Sequence, residues 1–165
     1  IPQSVRDPIE DRVKTNLAGF HEVVEMRQVL EMWAVEKAAQ AEKADKVREL
    51  GECVQIMKRN KEFKTEAQFE KFSQADQWFH QILAEMNSNS IYIHLFHFFI
   101  HLILGSIYVS RNMFPGHFGE KNYEVHKSIY QAVKTGDAEQ AREAMREHFD
   151  FILEHVSKKK GRKST

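Results

Sequence analysis

Cysteine is almost missing from this chain. Cys53 stands alone among 165 residues, which excludes an internal disulfide and any thiolate-rich metal site and suits a reducing cytoplasm. Proline is nearly as scarce, with Pro2, Pro8 and Pro115 the three present, and glycine numbers seven. Net charge is absent as well: 24 lysines and arginines balance 24 aspartates and glutamates, so no overall field draws the chain toward nucleic acid, an anionic membrane or an acidic substrate. A long uninterrupted apolar run is also wanting. The longest apolar stretch, Ile91 to Val109, is broken by His94, His97 and His101 and carries Ser106 and Tyr108, which argues against a transmembrane helix. The opening Ile-Pro-Gln-Ser-Val-Arg-Asp-Pro does not read as a signal peptide. The expectation is a cytoplasmic protein without membrane contact, and a start at Ile1 suggests a piece of something longer.

What is present is helical patterning. Hydrophobic residues make up 42% of the chain, enough for one domain with a sizeable core. Apolar residues recur three and four apart between polar ones, which specifies an all-α protein. The first eight residues read as an extended linker, followed by a short helix from Ile9 to Asn16. Stronger helices are expected over about 20–41, 45–58, 65–86, 90–112, 119–134 and 137–156. Thr65 and Asp137 serve as N-caps and Gly136 as a left-handed helix stop. Residues 158–165 form a basic, solvated tail.

Within this pattern a few polar residues occupy apolar faces. Asp76 and His80 are four residues apart, so they project from one face of their helix beside Phe69, Phe72, Phe79, Leu83 and Met86. His126 lies among Val125, Ile129, Tyr130 and Val133, and His148 among Ala144, Met145, Phe149 and Ile152. Each reads singly as a hydrogen-bonded core group. Three long helices of one bundle that all offer imidazole or carboxylate groups also match the way bundles build metal sites. Three imidazoles and one carboxylate suit Zn, Ni, Mn or Fe and leave positions open for a water or ligand oxygen.

At these positions the chain resembles the C-terminal effector domain (FCD) of the FadR branch of GntR bacterial transcriptional regulators. The resemblance rests on Glu25-Met26-Arg27-Gln28-Val29-Leu30-Glu31, Asp76-Gln77-Trp78-Phe79-His80, Asn89, His126-Lys127-Ser128-Ile129, Gly136-Asp137-Ala138, Ala141, Ala144-Met145 and His148. It implies an antiparallel bundle of six or seven helices with a central cavity. One divalent metal, zinc first, would sit on its floor, held by Asp76, His80, His126 and His148. A small organic acid would bind above it, with Arg27 as the first candidate for a buried guanidinium partner and Arg111 as the second. Arg27 is equally readable as the salt-bridge partner of Glu31. Asn89 and Trp78 are further candidates for contact with the effector. Two features depart from the pattern. Trp78 stands where many relatives carry an arginine, and His94, His97 and His101 share a helix face, with His97 and His101 the pair expected to reach the pocket or else to hydrogen-bond between helices.

The resulting organisation is a linker over residues 1–18, an effector-binding bundle over 19–157 and the tail over 158–165. A homodimer is expected, with a winged helix-turn-helix upstream as the part that reads operator DNA. A sensor is the leading reading. A hydrolase using metal-bound water and a metal-free interaction module are the rivals. These 165 residues are expected not to bind operator DNA by themselves; sequence-specific binding at physiological salt in a mobility-shift titration would contradict that.

Overall fold

The computed structural model describes residues 2–104, 114 and 116–162. It contains seven helices: α1 (Gln3–Thr15), α2 (Leu17–Ala39), α3 (Ala44–Asn60), α4 (Glu66–Glu85), α5 (Ser90–Leu104), α6 (Gly116–Thr135) and α7 (Ala138–Arg162). There is no strand among the described residues, so the all-α expectation holds at the upper end of its helix count. None of these helices is long and apolar enough to cross a membrane. Arg111 and Tyr108 lie outside the described residues.

Local chemistry sets most of the helix ends. Asn16 accepts a hydrogen bond from the Gly19 amide at 2.7 Å to open α2, and Thr65 accepts from the Gln68 amide at 3.2 Å to open α4. The Gln68 side chain accepts from the Lys64 amide at 2.8 Å, just ahead of the cap, which ties the incoming chain to the first turn. Gly136, at φ 75°, closes α6, and Asp137 at once caps α7 through the Gln140 amide at 3.0 Å. Two ends differ from expectation. α1 starts at Gln3, so the first eight residues are not extended: Pro2 takes the N-cap position, and α1 runs through Pro8 because Val13 is buried in the core with Ile9 packed against it. α7 continues to Arg162, carrying helix into the basic segment.

Successive helices pack together in the pairs α1–α2, α3–α4, α4–α5 and α6–α7. The pairing that matters for function also runs across the sequence. α2 lies against α7, α3 against both α4 and α6, and α6 against α7, so α2, α4, α6 and α7 surround one core. Phe79, Leu50, Met57, Ile129, Met145 and Phe149 are wholly buried there. Cys53 is buried with them, and burial pushes its thiol up to about 11, which makes it an inert packing residue. A smaller cluster of Ala34, Ala84, Tyr92, Phe96 and Ile100 joins α5 to α2 and α4.

One contact between α6 and the α3–α4 turn leaves no room for a side chain. A Cβ on Gly119 would stand 2.2 Å from the Lys61 carbonyl oxygen and 2.8 Å from the Phe63 ring. Phe63 itself holds φ 51°, a left-handed conformation rarely adopted by aromatic residues, and its ring packs edge-on to Phe69 and Phe72 at 5.3 and 5.0 Å. Gly119→Ala is therefore expected to destabilise the fold by about 1–3 kcal/mol, although glycine to alanine inside a helix ordinarily stabilises. Urea unfolding checks this, and an unchanged or higher midpoint would contradict the close approach.

Candidate metal centre and adjoining cavity

Residues from four helices meet at one point: Arg27 and Glu31 from α2, Asp76 and His80 from α4, Asn122 and His126 from α6, and His148 from α7. The pairs on α2, α4 and α6 are each four residues apart, so these three helices present two groups on one face and α7 adds one. His80, His126 and His148 are buried, and one ring nitrogen of each lies within 4.8 Å of the others. His80 Nε2 and His126 Nε2 are 3.2 Å apart, and Asp76 Oδ1 is 3.3 Å from the same His126 nitrogen.

The far sides of the rings decide where the protons sit. His126 Nδ1 is 2.8 Å from the Asn122 backbone carbonyl oxygen, which only accepts, so Nδ1 carries the hydrogen and donates it. His80 Nδ1 is 2.5 Å from Glu31 Oε2. Burial would raise the Glu31 carboxyl, but Arg27 and His80 outweigh it and hold the group at about 2. Glu31 is thus an ionised acceptor, and the neutral tautomer of His80 that serves it keeps its hydrogen on Nδ1. The two Nε2 lone pairs are then left facing each other in the buried core. A shared proton or a cation would relieve this. His148 favours the cation, because neither of its ring nitrogens has a hydrogen-bond partner, and a proton held between His80 and His126 does nothing for it.

The donor set fits a metal on three counts. Nitrogens bound to one ion at about 2.0–2.1 Å stand about 3.3 Å apart in a tetrahedral arrangement, close to the separation found. Ligating histidines usually donate their other N–H to a carboxylate or backbone carbonyl, which is what Glu31 and Asn122 provide. Two of the rings are also kept neutral: burial pushes His126 down to about 4 against the opposing pull of Asp76, and burial, with His126 and His80 nearby, takes His148 well below its usual range.

A cavity of about 110 Å³ adjoins these residues and shares Asp76, Asn122 and Arg27 with them. Arg27 forms the ion pair with Glu31 that its spacing allows, and it also borders the cavity. Its Nε donates to Glu31 Oε1 at 2.6 Å and its guanidinium carbon stands 5.4 Å from the Phe149 ring centroid, while Nη2 is buried without a partner. Asn122 Nδ2 donates to Asp76 Oδ1 at 2.9 Å, which leaves Asn122 Oδ1 buried and unpartnered. Most of the remaining lining is apolar, with six phenylalanines, Phe20, Phe63, Phe69, Phe72, Phe114 and Phe118, contributing.

Four expected pocket residues lie elsewhere. Trp78 is 59% exposed and lines a surface groove with Ile56, Arg59 and Lys71, because two residues turn a helix about 200° from Asp76. Asn89 is exposed and caps α5, accepting from the Tyr92 amide at 3.1 Å. His101 is exposed and His97 half-buried, and neither lines the cavity. α5 turns Tyr92, Phe96 and Ile100 into the bundle and presents Ile100, Ile103 and Leu104 to the cavity, so apolar burial outcompetes the histidines for the inward face. Conversely, Asn122 and the bridging role of Glu31 were not read from sequence. Glu31 had a local signal, a charged pair four residues apart inside an apolar stripe, but Asn122 had none.

A family model for the FCD domain matches residues 22–151. No curated protein matches. Among solved structures, that of Lar, described as controlling the expression of the Listeria monocytogenes agr system and mediating virulence, is similar with a TM-score of 0.74 and 18% identity. The similarity covers 88% of this chain and 66% of that one, and it is a likeness of fold.

Glu31→Gln is expected to weaken metal affinity about 10–100-fold, the usual effect of losing the outer partner of a ligating histidine; a chelator-competition titration that finds affinity unchanged would contradict its role. Acid is expected to destabilise the metal-free chain. An unfolded histidine takes up protons near pH 6.5 that folded His126 refuses until about 4, so stability is full above that range and falls as pH drops through it. Glu31 extends the loss from 4.5 down to about 2. Urea midpoints in chelator at pH 7.5 and 5.5 test this, and equal midpoints would exclude neutral buried rings.

Proposed function

Because the chain belongs to the FCD domain family, we propose that it is the effector-binding domain of a GntR-type transcriptional regulator whose response to a small organic acid depends on one divalent metal. The reading is carried by the two imidazole nitrogens facing each other at 3.2 Å in the core, beside the unpartnered ring of His148 and at the edge of a cavity. Asp76, His80, His126 and His148 would hold the ion. Zinc suits the donors best, and nickel, manganese or iron are chemically compatible. When bound, the ion supplies a localised positive charge that accepts a carboxylate oxygen from the cavity side.

The chain's own residues do the rest. Glu31 and the Asn122 carbonyl fix the two histidine rings, and the Asn122 side chain steadies the half-buried Asp76 carboxylate. Arg27 keeps one guanidinium nitrogen free beside the cavity. Anything that engages that nitrogen also acts on Glu31, and so on His80. Because α2 packs on α7, such a contact would bias the packing of the helices, and in a cytoplasmic homodimer this would set the spacing of the attached DNA-reading domains. A ligand shifts that equilibrium only by its difference in affinity for the two arrangements.

A hydrolase reading needs an acid or base free to act beside metal-bound water. Glu31, the buried carboxylate next to His80, is already engaged by Arg27 and His80, which favours the sensor. The full-length regulator tests the proposal. With metal present, an organic acid is expected to shift operator affinity by about 5–150-fold, and His126→Ala is expected to abolish the shift. Operator binding indifferent to acid and metal would overturn it, as would steady turnover of a hydrolysable substrate lost in His126→Ala.

A further inference from the structure

The cavity has a chemistry of its own that narrows the effector, granted the carboxylate-sensing reading on which this rests. Its described lining offers one cation, Arg27, whose buried Nη2 lacks a partner. Beside it are Asp76 and Asn122, the latter with a buried, unpartnered Oδ1. Ser73 and Gln77 are the other polar residues, and the remaining lining is hydrocarbon, six of the side chains being phenylalanines. A site built for a hydroxy acid or a di- or tricarboxylic acid presents a donor or a charge for every oxygen of its ligand. Among the described lining residues a second carboxylate has no second cation to pair with, and each buried polar group left without a partner opposes binding.

Size narrows the class further. A dry apolar cavity of about 150 Å³ accepts benzene, and this one measures about 110 Å³. A long acyl chain does not fit, nor does a nucleotide-linked thioester. We propose that the effector is a short-chain aliphatic monocarboxylic acid, with one carboxylate shared between Arg27 and the metal and a compact hydrocarbon body among the phenylalanines. Phe63 and Phe72 form one wall of that enclosure, held edge to face at 5.0 Å, while Ile100 and Ile103 of α5 belong to the lining as well.

The test is isothermal titration of the metal-loaded chain with the unbranched acids from acetate to octanoate, alongside lactate, malate and citrate. Affinity is expected to rise about fourfold with each added methylene through butyrate or valerate and then to fall as the cavity fills, with malate and citrate at least tenfold weaker than butyrate. A flat series, a continued rise to octanoate, or tighter binding of lactate, malate or citrate would overturn the assignment while leaving carboxylate sensing intact. Binding of no acid in either set would overturn the sensing proposal itself.

Discussion

The Glu31 carboxylate sits 2% exposed at the centre of the bundle, and its need for partners organises much of what surrounds it. An ionised carboxylate cannot be left alone in a core, and removing one partner of a buried pair costs about 3–5 kcal/mol. Arg27 donates to one oxygen from the preceding turn of α2, and His80 Nδ1 of α4 stands 2.5 Å from the other. The same contacts determine how the site can work. With its Nδ1 committed to Glu31, His80 turns Nε2 toward His126, and the interior acquires a cluster of nitrogen lone pairs that a hydrocarbon core would not otherwise tolerate.

Packing makes the arrangement firm. Phe79 stands edge-on to His126 at 4.9 Å and Phe149 edge-on to His148 at the same distance, so the rings are held by neighbours as well as by hydrogen bonds. Arg27 belongs at once to the ion-pair chain and to the cavity wall. In the proposed sensor, binding at the cavity and at the centre would alter each other by the same factor. That coupling would run through α2, the helix that also packs on α7 and on α1.

The legibility of the sequence follows the range of the interactions. Helix ends governed by a cap within a few residues, at Thr65, Gly136 and Asp137, are visible in the string of letters. So is the shared face of Asp76 and His80, because a spacing of four is geometry. The role of Glu31 depends on a partner on another helix, which no local pattern announces. His97 and His101 show the converse: their spacing is real, but which way α5 turns is decided by Tyr92, Phe96 and Ile100 packing against Ala34 and Ala84. Trp78, next to a key motif in sequence, points away from it for the same rotational reason. The extent of α1 was hidden by Pro2 and Pro8, which read as breakers until burial of Val13 is known.

Anomalous X-ray scattering, measured above and below candidate metal edges on crystals of protein purified without an affinity tag, addresses the central claim most directly. The account predicts a single peak within about 2.0–2.2 Å of nitrogens from His80, His126 and His148 and of an Asp76 oxygen. An empty position with the His80 and His126 nitrogens still 3.2 Å apart, in protein carrying less than about a tenth of an equivalent of metal, would contradict it and leave a shared proton as the explanation.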